Sequence, residues 1–82
     1  MKVIKFSSEN CAPCRASKPH WDKFKETHPS IQMEVVDVDK NPEVANQYKV
    51  MSVPTLVVEE DGVVKASRIG AFSLSTLEAL VQ

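Results

Sequence analysis

The sequence has no third cysteine, no excess of charge of one sign, and no apolar stretch near the ~20 residues that a membrane-spanning helix needs. Ten basic against eleven acidic side chains leave a formal net charge of -1, so no overall field draws the chain toward phosphate backbones or acidic membranes. Neither nucleic acid nor a membrane is an expected partner. Met1-Lys2-Val3-Ile4-Lys5-Phe6 is broken by charge and turns polar at Ser7-Ser8-Glu9-Asn10, which is not the apolar run of a signal peptide. A reducing, cytoplasmic interior is the expected location. There, two cysteines spaced as Cys11-Ala12-Pro13-Cys14 point to chemistry or to a metal rather than to a structural staple. Repeats, linkers and low-complexity segments are missing too.

What is present suits one domain over residues 1–82, since 82 residues are too few for two separate cores. A first strand is expected at residues 2–6, from the β-prone Val3, Ile4 and Phe6. Good helix formers follow from Ala12 to about Lys25, with Trp21 and Phe24 on one face and Lys18, Asp22, Lys23 and Lys25 toward water. Pro13 fits a first turn, whereas Pro19 should kink the helix. Ile31 to Val38 is rich in β-branched residues and reads as a second strand. Asn41-Pro42-Glu43 reads as a capped helix start, and Val44, Ala45 and Tyr48 give that helix an apolar face. Thr55–Glu59 and Val63–Ile69 form a hairpin around Asp61-Gly62. Ser73 or Ser75 opens a last helix, Ser75 with Glu78 as a capping box, and Leu74, Leu77, Leu80 and Val81 form its stripe. The fold class is therefore α/β, in the order βαβαββα, with a four-stranded mixed sheet and helices on both faces.

The cysteine pair falls between a strand and a helix start. The first sulfur then lies near unpaired backbone N–H groups and the positive end of the helix dipole, which favour a thiolate. Cys14, one turn on, can resolve a mixed disulfide formed at Cys11. The competing reading is half of a zinc site. That needs four ligands, and His20 and His28 follow at spacings that fit no common zinc pattern. No metal is expected. His20 and His28 read as solvated helix residues, and Trp21 reads as core.

Cys11-Ala12-Pro13-Cys14, Pro19 five residues after the second cysteine, Val53-Pro54-Thr55 and Ile69-Gly70-Ala71 together resemble the thioredoxin family over nearly the whole chain. The resemblance is to a thioredoxin trimmed of its leading strand and helix, close in size to glutaredoxins and to small thioredoxins of some archaea and phages. It implies that the Val53–Pro54 bond is cis and lies against the disulfide, and that Val53 offers its backbone to a bound peptide. On the residues alone, Pro54 reads as an ordinary trans proline opening a strand. The resemblance also implies that Gly70 leaves room for a docking polypeptide, where a plain reading gives a strand-end glycine. Ala12, Pro13, Val53, Pro54, Gly70 and Ala71 would then bind substrate around Cys11.

Three positions depart from the family pattern. Lys5 stands where thioredoxins usually carry a buried aspartate, Val35 where a lysine often accompanies it, and Asn10 replaces the tryptophan before the first cysteine. Lys5 shares a strand face with Val3. The plainer expectation is that it snorkels to solvent; the sharper one is that its ammonium lies under the site and tunes the thiol pKa.

The resemblance implies a protein-disulfide reductase with no bound cofactor and a redox-active Cys11–Cys14 disulfide. A flavin-containing thioredoxin reductase would recharge it, so that NADPH is used indirectly. Ribonucleotide reductase is an implied target, and a monomer is expected. A glutathione-dependent, glutaredoxin-like enzyme is the second reading. It is weakened because Gly70-Ala71-Phe72-Ser73 lacks the Gly-Gly and acidic residue that often hold glutathione. The third is a non-catalytic, redox-sensitive binding module. The reduction potential of related Cys-x-x-Cys proteins spans about -270 to -120 mV, so sequence does not fix the direction of electron flow.

Overall fold

Strand β1 (Lys2–Ser7) sends buried side chains to both faces, and every other element is arranged about it. The computed structural model describes residues 1–82. β1 pairs in parallel with β2 (Gln32–Asp37) on one side and antiparallel with β3 (Thr55–Glu60) on the other. β3 pairs antiparallel with β4 (Val63–Ile69), giving the sheet order β2-β1-β3-β4. Helix α1 (Ala12–Thr27) makes the crossover between β1 and β2, α2 (Pro42–Gln47) lies between β2 and β3, and α3 (Leu74–Leu80) ends the chain. The expected order and mixed sheet are thus found.

The alternation of β1 divides the core. Val3 packs with Trp21 and Phe24 of α1, Leu56 and Val58 of β3, Phe72, and Leu77 of α3. Ile4 and Phe6 pack on the opposite face with Val36, Val57 and Ala45 of α2. Tyr48 closes that second face: its ring tilts against Phe6 at 5.3 Å and its hydroxyl donates to the Glu59 carboxylate at 2.7 Å. That bond raises the Tyr48 pKa, because the carboxylate holds the phenolic proton and repels the phenolate.

Local chemistry explains the ends of these elements. Asp61 and Gly62 both have positive φ, +54° and +78°, as the two-residue turn between β3 and β4 requires. The kink expected at Pro19 does not divide α1, which runs as one helix through it. Pro19 is on the exposed side of α1, where the Arg15 carbonyl that loses its donor can turn to water.

Two caps differ from expectation. Asn41 occupies the N-cap position of α2 without a side-chain cap bond; its Nδ2 instead donates to the Asp37 carbonyl at 3.3 Å. The capping box of α3 is Ser73 with Thr76, not Ser75 with Glu78. Ser73 Oγ accepts the Thr76 N–H at 3.4 Å, and Thr76 Oγ1 accepts the Ser73 N–H at 3.3 Å. The reason is tertiary. Phe72 is buried and donates its N–H to Ser17 Oγ at 3.1 Å, which fixes the chain just before Ser73.

Phe24 has no exposed surface and sits where α1 meets β1 and β3. Phe24→Ala is expected to cost about 3–5 kcal/mol through lost burial and the cavity left behind. Urea unfolding should show a lower midpoint with an unchanged slope.

Candidate active site

Cys11 ends the loop after β1 in extended backbone (φ -117°, ψ 107°) and is itself the N-cap of α1. A serine or aspartate oxygen usually fills that role. Here the Sγ of Cys11 accepts the backbone N–H of Cys14 at 3.1 Å, while the Cys11 carbonyl accepts the Arg15 N–H at 3.1 Å and starts the helix. No acidic side chain sits in the first turn, so the positive end of a 16-residue helix is left to the sulfur. Cys11 and Cys14 are joined as a disulfide, with their Cα atoms 5.2 Å apart. Both are largely buried, at 8% and 5% exposure.

The loop before β3 faces the pair. The Val53–Pro54 bond is cis, and the Val53 carbonyl oxygen lies 3.7 Å from Cys11 Sγ. In the disulfide that sulfur carries no proton, so this is a contact; the reduced thiol could donate across it. The Pro54 carbonyl accepts the Gly70 N–H at 2.8 Å, which ties the loop to the end of β4. Gly70 has φ +103°, and a Cβ built there would meet no atom of the chain within 4 Å. Its backbone demands glycine, and the space above it is open. Ala12, Pro13 and Ala71 are exposed, Val53 and Gly70 partly so, and Pro54 is buried.

Lys5 is more withdrawn than the plainer expectation held: it is 6% exposed. β1 is flanked on both sides, and Trp21 of α1 lies over the lysine, with Nζ 4.9 Å from the ring centroid. Burial lowers the Lys5 pKa, Asp22 works against that, and Lys18 adds to it. Val35 pairs with Lys5 across β1 and β2 and is exposed beside it.

The histidines are not gathered with the cysteines. His20 accepts the Leu74 N–H through Nδ1 at 3.2 Å, and His28 stacks on Phe24 with ring centroids 4.2 Å apart. His20 is therefore more than a solvated side chain, and with Ser17 it joins α1 to the start of α3. No sequence signal marked Ser17, because its partner is 55 residues away. No group of three or more His, Cys, Asp or Glu is assembled that could hold a metal.

A disulfide pair capping a helix, opposed by a cis-proline loop on this sheet order, agrees with the comparison to known proteins, in which the thioredoxin family model matches residues 1–82. The chain belongs to the thioredoxin family. It is 35% identical over 69 residues to mitochondrial thioredoxin-3 of Saccharomyces cerevisiae, covering 84% of this chain and 54% of that protein. It is 38% identical over 77 residues to thioredoxin 1 of Synechococcus elongatus, covering 92% and 71% respectively. The crystal structure of oxidised yeast mitochondrial thioredoxin 3 superposes with a TM-score of 0.89 at 30% identity, over 98% of this chain and 76% of that one. The chain thus spans about half the length of the yeast relative, and it carries the thioredoxin fold.

In the reduced protein, Cys11 is expected to react with iodoacetamide about tenfold faster at pH 7 than a cysteine in an unstructured peptide. Mass spectrometry across a pH series measures this, and coincident curves would show that the helix end does not activate the sulfur.

Proposed function

We propose that this chain is a thiol–disulfide oxidoreductase that reduces protein disulfides. The observation that carries the reading is the Cys11 sulfur accepting the Cys14 N–H at 3.1 Å, with Cys14 already bonded to it. The same helix end that caps itself with a sulfur would stabilise that sulfur as an anion. In the first step the Cys11 thiolate attacks one sulfur of a substrate disulfide; a mixed disulfide forms and the second substrate sulfur leaves as a thiolate that takes up a proton. Cys14 then loses its proton and attacks Cys11, the mixed disulfide breaks, and the products are the Cys11–Cys14 disulfide and a substrate dithiol.

Ala12, Pro13, Val53, Pro54, Gly70 and Ala71 would contact the substrate around Cys11. Support comes from the open space above Gly70 and from the partly exposed Val53 backbone beside the sulfur. An extended peptide could pair with that backbone as an added strand does. A flavin-dependent thioredoxin reductase drawing on NADPH would restore the dithiol, and ribonucleotide reductase is a fitting disulfide substrate. The chain would act as a monomer in the cytoplasm or another reducing compartment, since both reacting sulfurs lie on one chain.

Coupled NADPH oxidation tests the reading, with thioredoxin reductase in one arm and glutathione with its reductase in the other. Turnover of a protein disulfide is expected in the first arm. Cys11→Ser should abolish it, and Cys14→Ser should trap a mixed disulfide. Turnover in the glutathione arm alone would make the chain a glutaredoxin-like enzyme. Full biological function in the double serine variant would make it a binding module.

A further inference from the structure

One cation in this protein is buried without a partner. Lys5 is 6% exposed, and its Nζ takes part in no hydrogen bond or ion pair, resting only near the Trp21 ring. No fully buried polar side-chain atom is left unsatisfied, so that Nζ must keep an opening to water. The opening is a cleft of about 470 Å³ between α1 and the β1–β2 side of the sheet, and Cys14 lines the same cleft. Ser7 and Ser8, both small, also line it.

The other charged groups facing this cleft are Glu9 from the loop after β1, Arg15, Lys18, Asp22 and Lys25 from α1, and Asp37 from β2. Each carboxylate is already engaged. Asp22 pairs with Lys18 at 2.8 Å, Glu9 with Lys40 at 3.6 Å, and Asp37 Oδ1 accepts the N–H groups of Asp39 and Lys40 at 2.9 and 3.3 Å. Arg15 donates to the Glu9 carbonyl at 3.0 Å, and the exposed Lys25 is free to be hydrated. Lys5 alone is withdrawn from bulk water with neither a hydrogen bond nor an ion pair, and only the Trp21 ring and the nearby charge of Asp22 offset its own.

We infer that the Lys5 ammonium is a built-in counter-charge for the reduced cysteine pair, shifting the disulfide–dithiol equilibrium toward the dithiol and assisting ionisation of Cys14. The inference rests on the proposed exchange reaction and adds its regulation. Reduction takes two electrons and, near neutral pH, one proton; the S–S bond breaks and leaves one thiolate and one thiol, so the site gains one negative charge. A fixed cation facing that site stabilises the more negative state. The resolving step follows the same logic. When Cys14 gives its proton to water or to the leaving thiolate, the anion that forms faces the cleft that Lys5 lines. Lys5 is thus a positioning residue, acting by charge and touching no substrate, and it makes the protein a weaker electron donor than a neutral residue there would.

The test equilibrates the wild type, Lys5→Met, Lys5→Gln, Lys5→Arg and Asp22→Asn with glutathione buffers of graded potential, and counts free thiols by alkylation and mass spectrometry. Lys5→Met and Lys5→Gln are expected to favour the disulfide by about 3- to 10-fold, the upper figure corresponding to ~30 mV for a two-electron couple. Lys5→Arg should stay within about twofold of the wild type. Asp22 is exposed, and its removal should leave folding intact while moving the equilibrium about twofold the other way, toward the dithiol. In a Cys11→Ser background, the alkylation profile of Cys14 should move to higher pH with Lys5→Met. Unchanged equilibria in both Asp22→Asn and the neutral Lys5 variants would overturn the inference while leaving the exchange reaction standing. A wild type that fails to exchange with glutathione at any potential would overturn both.

Discussion

The reactive end of this molecule depends on one bond, in which the Cys11 sulfur accepts the N–H of Cys14 in the first turn of α1. That bond does two things at once. It satisfies one of the donors that a helix start leaves unpaired, as a serine or aspartate cap does elsewhere, and it holds the Cys11 sulfur where the helix dipole favours an anion. Position and reactivity are therefore set together. Because Cys14 donates this N–H and also carries the second sulfur, the second sulfur is placed by the same interaction that holds the first.

That turn is held in place by chain segments far away in sequence. The Gly70 N–H on the Pro54 carbonyl, the Phe72 N–H on Ser17 and the Leu74 N–H on His20 form a row of three bonds at 2.8, 3.1 and 3.2 Å. They run from the cis-proline loop, along the backbone after β4, to the outer side of α1. The wall opposite Cys11 is thus fastened to the helix that Cys11 caps. Beneath it, β1 separates the two apolar clusters, and its residue Lys5 is the one point where charge enters an otherwise apolar strand interior.

Features set by neighbours in sequence were legible. The Asp61-Gly62 turn, the bounds of β4 and the shared face of Trp21 and Phe24 on α1 follow from local dihedral demands and a 3.6-residue period. The cysteine pair was equally plain, because its spacing and its place before a helix carry the chemistry. The cis state of Pro54 came from family resemblance, not from the residues. What stayed hidden was decided by distant partners. Ser73 and Ser75 both precede residues able to complete a capping box, and Phe72 anchored on Ser17 selects the first. Strand alternation places Lys5 on the Val3 face, but only the packing of Trp21 shows that this face is covered there. Asn41 had the right type for a cap, yet the nearby Asp37 carbonyl takes its amide.

The disulfide closes a very short loop, so the fold depends on it little. Cys11 and Cys14 are three residues apart, so closing them removes little freedom from the unfolded chain, about 2 kcal/mol by loop entropy against ~3 for a 15-residue loop. The fold must then rest on the two apolar clusters and the sheet, none of which includes either cysteine. The first turn of α1 is also held by the Arg15 N–H on the Cys11 carbonyl, a bond that breaking the disulfide does not remove. With stability placed elsewhere, the free-energy gap between disulfide and dithiol is left to local terms: the helix end at Cys11 and the charges that face Cys14. Such a gap is open to adjustment by a single charged side chain, and in this protein a lysine lines the same cleft as Cys14.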